Sequence, residues 1–161
     1  MNCVWVSVLL SILWALPLGT GPARVSSSRK APTIYIAADA EYGGIPSEIF
    51  VRGVTNLPPK SLLSIKIYDF IGEGARQLSV DTTVQVPVDG FFEATIAAAP
   101  GEKFRHNVVC DIVFMPRSSP RQYPSVLAVV GREGEFLGSP KNPQAYQHSG
   151  EYYLSEMVHV P

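Results

Sequence analysis

Hydrophobic and polar residues alternate along two neighbouring stretches near the middle of the chain. Alternation with a period of two is typical of a β-strand with one buried face, whereas a helix needs apolar residues about 3.6 positions apart. Pro58 and Pro59 lie between the two stretches, and a central β-ladder cannot run through residues that lack a backbone donor. The residues predicted to point inward are Ile49, Val51, Leu63, Ile65 and Ile67.

The same pattern predicts other strands along the chain. They cover Thr33–Ala38, Ser79–Val86 with Val80, Val84 and Val86 inward, a stretch with Phe92, Ala94 and Ile96 inward, Asn107–Met115 at the centre, Val126–Val130, and Tyr152–Val160. Asp39–Pro46 is predicted as a turn region and Phe70–Leu78 as a loop. About eight short strands without a helix predict an all-β fold over residues 33–161, an antiparallel two-sheet sandwich of immunoglobulin-like type. A barrel is the alternative way to close the sheet.

The turn residues of these strands carry a family resemblance. A strand ending in G-x-x-N-L-P, and later D-G-x-F at the start of another strand, resembles bacterial secreted immunoglobulin-like or fibronectin-like sandwich domains. The residues that carry the resemblance are Gly53, Asn56, Leu57, Pro58, Asp89, Gly90 and Phe92. The resemblance implies an exported sandwich module. The paired cysteines and buried tryptophan of antibody domains are missing after the N-terminal segment, so the similarity does not extend to that group.

The N-terminus predicts export. Val4–Leu18 is an uncharged apolar run of the length found in the central region of a secretory signal, and it is short for a membrane span of about 20 residues. We expect a signal peptide over residues 1–23, cleaved after Ala23, and a flexible linker over residues 24–32. The predicted location is therefore secreted or periplasmic. An uncleaved signal anchor is the alternative, and it would be the chain's contact with a membrane.

Composition and charge exclude some partners. The chain has 161 residues, a formal net charge of -1 and 17% charged residues. This balance offers no electrostatic basis for binding nucleic acid. The hydrophobic content of 46% is too high for a disordered chain and sufficient for one domain with a core.

Two long connections are the predicted place for a binding site, because loops carry binding residues more often than strands do. They cover residues 116–125 and 131–150. The second connection could instead wrap the edge of the sandwich, or contain a short edge strand at Glu135–Leu137. The candidate contacts to a ligand or partner are Tyr123, Glu133, Glu135, Tyr146, His148 and Tyr152.

No motif in the sequence indicates catalysis or a cofactor. Cys110 shares a predicted inward face with apolar residues, where a thiol is a weak nucleophile. His106, His148 and His159 do not have the spacing of a zinc site, and no G-x-S-x-G nucleophile elbow occurs. The sequence therefore predicts no catalytic residue, no metal ligand and no cofactor.

Three functions remain open. The first is an exported non-catalytic module that binds a protein or a cell-envelope glycan through its loops. The second is a structural or assembly protein that pairs through an edge strand. The third is a small hydrolase with a site assembled from separate loops. A fold does not identify a function, so the sandwich prediction does not choose among them.

Overall fold

The computed structural model describes residues 33–71, 74–104, 107–137 and 142–161, so the predicted signal peptide, the predicted linker and His106 lie outside the described residues. The described residues belong to one compact unit and form nine strands and one helix. The elements are β1 (Ile36–Tyr42), β2 (Glu48–Thr55), β3 (Leu62–Ile71), β4 (Gly74–Gln77), β5 (Thr82–Gln85), β6 (Phe91–Ala97), β7 (Val108–Phe114), α1 (Pro124–Val130), β8 (Ala145–His148) and β9 (Glu151–Val160).

The strands form two antiparallel sheets, which confirms the all-β prediction. The three-stranded sheet has the order β1-β2-β6. The six-stranded sheet has the order β4-β3-β7-β9-β8, and β5 also pairs with β3. The predicted central strand is confirmed, because β7 lies between β3 and β9. Among the described residues, no helix has the length and apolar character needed to cross a membrane.

The core lies between the inner faces of the two sheets. The five inward residues predicted from the alternation of β2 and β3 are all fully buried at 0% exposure. The inner face of β7 contributes Val108, Cys110, Ile112 and Phe114, which are also fully buried. Phe92 and Ile96 of β6 are buried as predicted, and Leu154 and Val160 of β9 are also buried. A period-two pattern was sufficient to predict these residues because each strand has one face towards the other sheet.

The two stretches that carry the family resemblance contact each other in the structure. Gly53 of β2 lies opposite Phe92 of β6, and a Cβ at position 53 would come within 2.5 Å of the Phe92 ring. Gly90 has a φ of +75°, and its carbonyl accepts a hydrogen bond from the Thr55 N–H at 2.9 Å. Gly53 is therefore required by close packing against Phe92, and Gly90 is required by its positive φ.

Asn56 has a role that differs from the local turn predicted for it. Its side-chain amide accepts a hydrogen bond from the Tyr35 N–H at 2.8 Å and donates to the Thr33 carbonyl at 2.9 Å. The turn after β2 is instead closed by Thr55, whose hydroxyl oxygen accepts the Leu57 N–H at 3.1 Å. Asn56 thus fixes the segment before β1, because its amide offers the donor and the acceptor that an extended backbone needs.

The prediction of a strand at Val126–Val130 is wrong, because this stretch lies in α1. Pro124 occupies the first turn of the helix, where its missing N–H costs no hydrogen bond. Tyr123 precedes it in an extended conformation, with φ -70° and ψ 147°. Val126 and Val130 are one helical turn apart and both fully buried. A short apolar run fits a strand and a buried helix equally well, so the pattern alone could not decide.

Three other boundaries also differ from the prediction. The strand predicted at Thr33–Ala38 begins and ends later, so that Asp39 and Glu41 lie on β1 rather than in a turn. The predicted loop at 70–78 is the end of β3 followed by β4. Glu135–Leu137 is a turn and not an edge strand. The first two errors arose where acidic or glycine residues occur within a strand, because these residue types are uncommon in strands and were taken for a turn or a loop.

Val80 was predicted to point inward and is 42% exposed. Ser79 takes the inward position, and its hydroxyl oxygen accepts the Ile67 N–H at 2.9 Å. Ser79 also forms an isolated bridge with Ala98, which connects the chain before β5 to the end of β6. The chain around Ser79 thus changes the face that it buries where it links the two sheets. The alternation of β5 therefore does not extend back to Val80.

The connection before β8 closes the opposite side of the sandwich. The Gln144 side chain accepts the Ile36 N–H at 2.9 Å and donates to the Ile36 carbonyl at 2.6 Å. The Gln144 carbonyl accepts the Ser155 N–H of β9 at 3.2 Å. Asn142 donates to the Ile34 carbonyl at 2.7 Å. This part of the long connection therefore wraps the edge of the sandwich, as one of the two alternatives expected, and connects β1 to β9.

Candidate functional site

Two connections and one hairpin turn meet at the end of the sandwich where β7 ends and β9 begins. We call residues 115–137 together with the turn 148–151 the loop end. The Glu151 carboxylate accepts hydrogen bonds from the backbone N–H of Arg117 at 2.6 Å and from that of Ser118 at 3.2 Å. It also accepts the Ser118 hydroxyl at 2.7 Å. A carboxylate with three donors holds the first connection against the β8–β9 turn.

Gln122 anchors the same connection to the six-stranded sheet. Its side chain is 4% exposed. Its amide accepts the Leu62 N–H at 2.8 Å and donates to the Leu62 carbonyl at 2.8 Å, as a neighbouring strand would. It also donates to the Met115 carbonyl at 3.1 Å. The amide therefore replaces a strand at the start of β3 and fixes the backbone from which α1 begins.

A pocket of about 720 Å³ opens beside α1. The helix buries Val126 and Val130, so its opposite side faces this space. Gln122 forms the base of the pocket, and its amide is already used by the backbone of β3 and β7. The lining residues are Arg121, Gln122, Pro124, Leu127, Ala128 and Arg132.

The two arginines of the pocket are both exposed. The described residues form three ion pairs, and neither Arg121 nor Arg132 belongs to one of them. The nearby Arg117 differs, because its guanidinium lies 3.1 Å from the Glu133 carboxylate. The pocket therefore has two guanidinium groups whose charges are not balanced by a paired carboxylate of the described chain.

The acidic side chains of the loop end are directed at the loop itself. The Glu135 carboxylate accepts the Glu133 N–H at 2.9 Å. Backbone N–H groups of Glu135, Glu133 and Arg132 hold the pKa of the Glu135 carboxyl below its ordinary value. Glu133 pairs with Arg117, and its carbonyl accepts the Tyr152 N–H at 2.7 Å. The Glu135 carboxylate therefore binds the backbone of the loop, and the Glu133 carboxylate binds Arg117. Arg121 and Arg132 of the pocket belong to none of the ion pairs of the described residues.

Large apolar side chains are exposed around α1. Tyr123 at the start of the helix is 46% exposed, Val129 near its end is 55% exposed, and Phe136 is 66% exposed. Phe136 lies close to the end of the helix, because its N–H donates to the Val130 carbonyl at 3.1 Å. Exposed apolar groups next to a pocket are typical of a surface that binds a partner.

The six candidate residues from the sequence do not lie on one surface. Tyr123, Glu133 and Glu135 are at the loop end, where the Glu133 carboxylate pairs with the Arg117 side chain and the Glu135 carboxylate accepts the Glu133 N–H. His148 is the last residue of β8, and its backbone lies opposite Glu151 of β9 across the turn between these strands. Tyr146 stacks on Tyr153 with 5.6 Å between ring centroids, on the outer face of the six-stranded sheet. Tyr152 packs inward against the core. Their contact with a ligand stays a prediction, and it concerns at least two separate regions.

The sequence reading missed the residues that line the pocket. Arg121, Arg132 and the apolar Leu127 and Ala128 were not selected, because the stretch between the arginines was taken for a buried strand. The signal available was a proline followed by apolar residues four positions apart, Val126 and Val130, which is a helical pattern with a proline in its first turn.

The thiol of Cys110 does not offer a reactive group at the surface. It is fully buried on the inner face of β7, as predicted. Burial raises the pKa of the thiol to about 12, and the charge of the neighbouring Asp111 adds to this shift. A thiol with a raised pKa is protonated at neutral pH and is a weak nucleophile.

The structure gives little support for other chemistry in its described parts. No group of three or more potential metal ligands occurs among the described residues. A smaller pocket of about 270 Å³ includes Asp39, Glu41 and Arg52 on the outer face of the three-stranded sheet. Within the described ranges, neither this pocket nor the one beside α1 has a histidine, serine or cysteine in its lining.

Comparisons with known proteins add no name to this geometry: no family model, no curated protein and no solved structure matches the chain. The immunoglobulin-like resemblance therefore stays a prediction, and the functional argument depends on the residues of the chain itself.

Proposed function

We propose that this protein is an exported, non-catalytic sandwich module of immunoglobulin-like type that binds a partner protein through the loop end. The strand orders β1-β2-β6 and β3-β7-β9 support this type, because they correspond to the A-B-E and C-F-G orders of immunoglobulin-like domains when β4, β5 and β8 are counted as additional strands. The fourth strand, D, of those domains has no counterpart in the three-stranded sheet of the described residues. The signal-like segment Val4–Leu18 supports export.

One observation carries the proposal, namely that the loop end combines a firm backbone with unused binding groups. Gln122 and Glu151 fix the connections through several hydrogen bonds each. The pocket beside α1 and the exposed side chains of Val129 and Phe136 then lie on a surface that needs little reorganisation. Binding is tighter when the groups that contact a partner are already ordered, because less conformational entropy is lost.

The assembly alternative has less support, because the end strands β4 and β8 of the six-stranded sheet have four residues each and the edges of the three-stranded sheet are each covered at one end. Gln144 occupies the backbone of Ile36 on β1, and the bridge at Ser79 covers the end of β6. Among the described residues, β8 is the edge strand next to β9 in the six-stranded sheet, and it has only four residues. Short and covered edges are features that prevent pairing between copies.

Site-specific photo-crosslinking tests the proposal. A photoreactive residue would replace Val129 or Phe136 in the full-length protein, expressed in its exporting host. Ile45 is the matched control, because it is 49% exposed but lies in the β1–β2 turn. The carbonyl of Pro46 in that turn accepts the Phe104 N–H before the start of β7, whereas the loop end follows β7. The two positions are thus separated by about 20 Å of strand.

We expect one heterologous protein to be crosslinked from positions 129 and 136 and not from position 45. The purified partner should then bind the wild-type protein, and Val129→Asp should weaken the affinity by about tenfold or more, since a charge would be buried at the interface. Crosslinks between copies of the chain would support the assembly alternative. Equal crosslinking from position 45, or no partner at either loop-end position, would contradict the proposal.

A further inference from the structure

The polar chemistry that the pocket beside α1 offers to a ligand consists of two guanidinium groups. The amide of Gln122 is the other polar side chain of the lining, and the backbone of Leu62 and Met115 already occupies it. Arg121 and Arg132 lie on either side of the helix sequence, outside the ion pairs of the described chain. Arginine binds carboxylates through two parallel hydrogen bonds, so the pocket suits a ligand with carboxylate groups.

The carboxylates near the pocket do not compete for these arginines. Glu133 pairs with Arg117, Glu135 accepts backbone N–H groups of its own turn, and Glu151 accepts three donors from Arg117 and Ser118. Each acidic group is already satisfied within the loop end. The two guanidinium groups are therefore available to bind the carboxylates of a partner at hydrogen-bonding distance.

The remaining surface of the pocket is aliphatic. Pro124, Leu127 and Ala128 supply carbon atoms and no side-chain donor or acceptor. A sugar ring would bring several hydroxyl groups to this surface, and each would lose water without gaining a partner. An aliphatic side chain of a peptide would lose nothing of this kind and would bury apolar area against the helix. The lining thus favours a peptide over a glycan.

We propose that the pocket beside α1 binds an acidic peptide segment of the partner protein, with its carboxylates on Arg121 and Arg132 and an aliphatic side chain against Leu127 and Ala128. This inference rests on the proposed function and narrows the chemistry of the partner. It involves both arginines, because both line the pocket and each guanidinium can bind one carboxylate.

A titration of the full-length protein with two short peptides tests the inference. The acidic probe is the blocked tripeptide Glu-Leu-Glu, and its neutral counterpart is Gln-Leu-Gln, which has the same shape without charge. Binding would be followed by NMR up to about 10 mM peptide, which covers weak specific binding. We expect the side-chain signals of Arg121, Arg132 and Leu127 to shift with the acidic peptide. The affinity should fall severalfold between about 20 mM and about 200 mM salt, because salt screens exposed charges.

Three double variants provide a second test and its controls. Arg121→Gln with Arg132→Gln should reduce the affinity for the acidic peptide by about tenfold or more, with an unchanged amide spectrum elsewhere, since both side chains are exposed. Arg52→Gln with Lys103→Gln removes the same charge from residues outside the pocket lining and should leave the affinity unchanged. Arg-to-Lys exchange at both pocket positions should restore part of the binding, because the charge returns without the planar fork.

Three results would overturn the inference. They are equal binding of the neutral peptide, shifts that map outside the pocket, and no shifts at the highest concentration. These results leave the proposed function standing if positions 129 and 136 still crosslink a partner. A failure of the crosslinking test would instead remove the proposed function, so the two failures are distinguishable.

Discussion

The centre of the sandwich and the residue that anchors its loop end are both buried, but different forces hold them. Ile65 in the centre is 0% exposed and belongs to the apolar core. Gln122 at the loop end is 4% exposed and makes directed hydrogen bonds to two backbone segments. Apolar packing depends on volume and tolerates a similar shape, whereas a bidentate amide depends on the position of each donor and acceptor.

This difference predicts how each region responds to substitution. The centre should lose stability in proportion to the volume removed. The loop end should lose stability even when the replacement has the same shape, because one changed atom leaves a buried backbone group without a partner. A region of the second kind positions a binding surface well, since few alternative conformations satisfy all its hydrogen bonds.

The largest effect is expected for Ile65→Ala. The free energy of unfolding should fall by about 2–5 kcal/mol, because the substitution removes buried carbon and leaves a cavity between the sheets. Ile65→Val should cost only about 1 kcal/mol. Urea unfolding followed by circular dichroism measures both. A cost below about 1 kcal/mol for Ile65→Ala would show that volume does not limit the stability of the centre.

Gln122→Ala should be next, with a cost of about 2 kcal/mol, because the Leu62 N–H and carbonyl lose their partner in a buried place. Gln122→Glu keeps the shape and should cost as much or more at neutral pH, because it buries a charge and removes the two donors. Acidification should recover part of the loss, since a protonated carboxyl donates one hydrogen bond.

The comparison of Gln122→Glu with Ile65→Val is the direct test of the contrast between the two regions. Both replacements nearly conserve shape, so unfolding in urea at neutral pH compares them under equal conditions. If Gln122→Glu were as mild as Ile65→Val, the hydrogen bonds of the loop end would contribute little to its stability.

A smaller and more local effect is expected for Gln144→Ala. The cost should be about 1 kcal/mol, because the amide is partly buried and water can replace some of its bonds. Hydrogen exchange of the Ile36 amide should accelerate, while amides of β7 remain protected. Equal acceleration in both places would mean that the edge and the centre open together and would contradict a local role for Gln144.

The smallest change in stability is expected at Asp111. This residue is a titratable group on the outer face of the central strand β7. Burial raises the pKa of its carboxyl above the ordinary value of 3.8, although the Ser155 hydroxyl and the Lys66 charge oppose the shift. The folded protein therefore holds this proton to a higher pH than the unfolded chain does. Stability should fall as the pH rises from about 3.8 through the raised value of the folded state.

Asp111→Asn should remove this dependence and should slightly stabilise the protein at neutral pH. The amide oxygen can still accept the Ser155 hydroxyl, which now bonds to the carboxylate at 2.8 Å. Unfolding of both forms across acidic and neutral pH checks the sign. A variant that loses stability at neutral pH would show that the pairing of Asp111 with Lys66 outweighs the cost of burying the charge.

The sequence by itself determined the strands of the centre and their inward residues. Ile49, Val51, Ile65 and Ile67 were predicted and are buried, because a strand in a two-sheet sandwich buries alternate residues whatever its partner is. The inert setting of Cys110 was predicted on the same basis, since it shares the inward face of β7.

Tertiary structure decided the loop end and the edges of the sheets. The run Val126–Val130 lies in a helix that buries two residues on one side, and a short apolar run is equally compatible with a strand. Gln122 binds Leu62 across 60 positions of the chain, and Gln144 binds Ile36 across 108. Such contacts depend on the path of the whole chain, so no local pattern contains them. The pocket beside α1 also depends on this path, because Gln122 is part of its lining and is held by the backbone of Leu62.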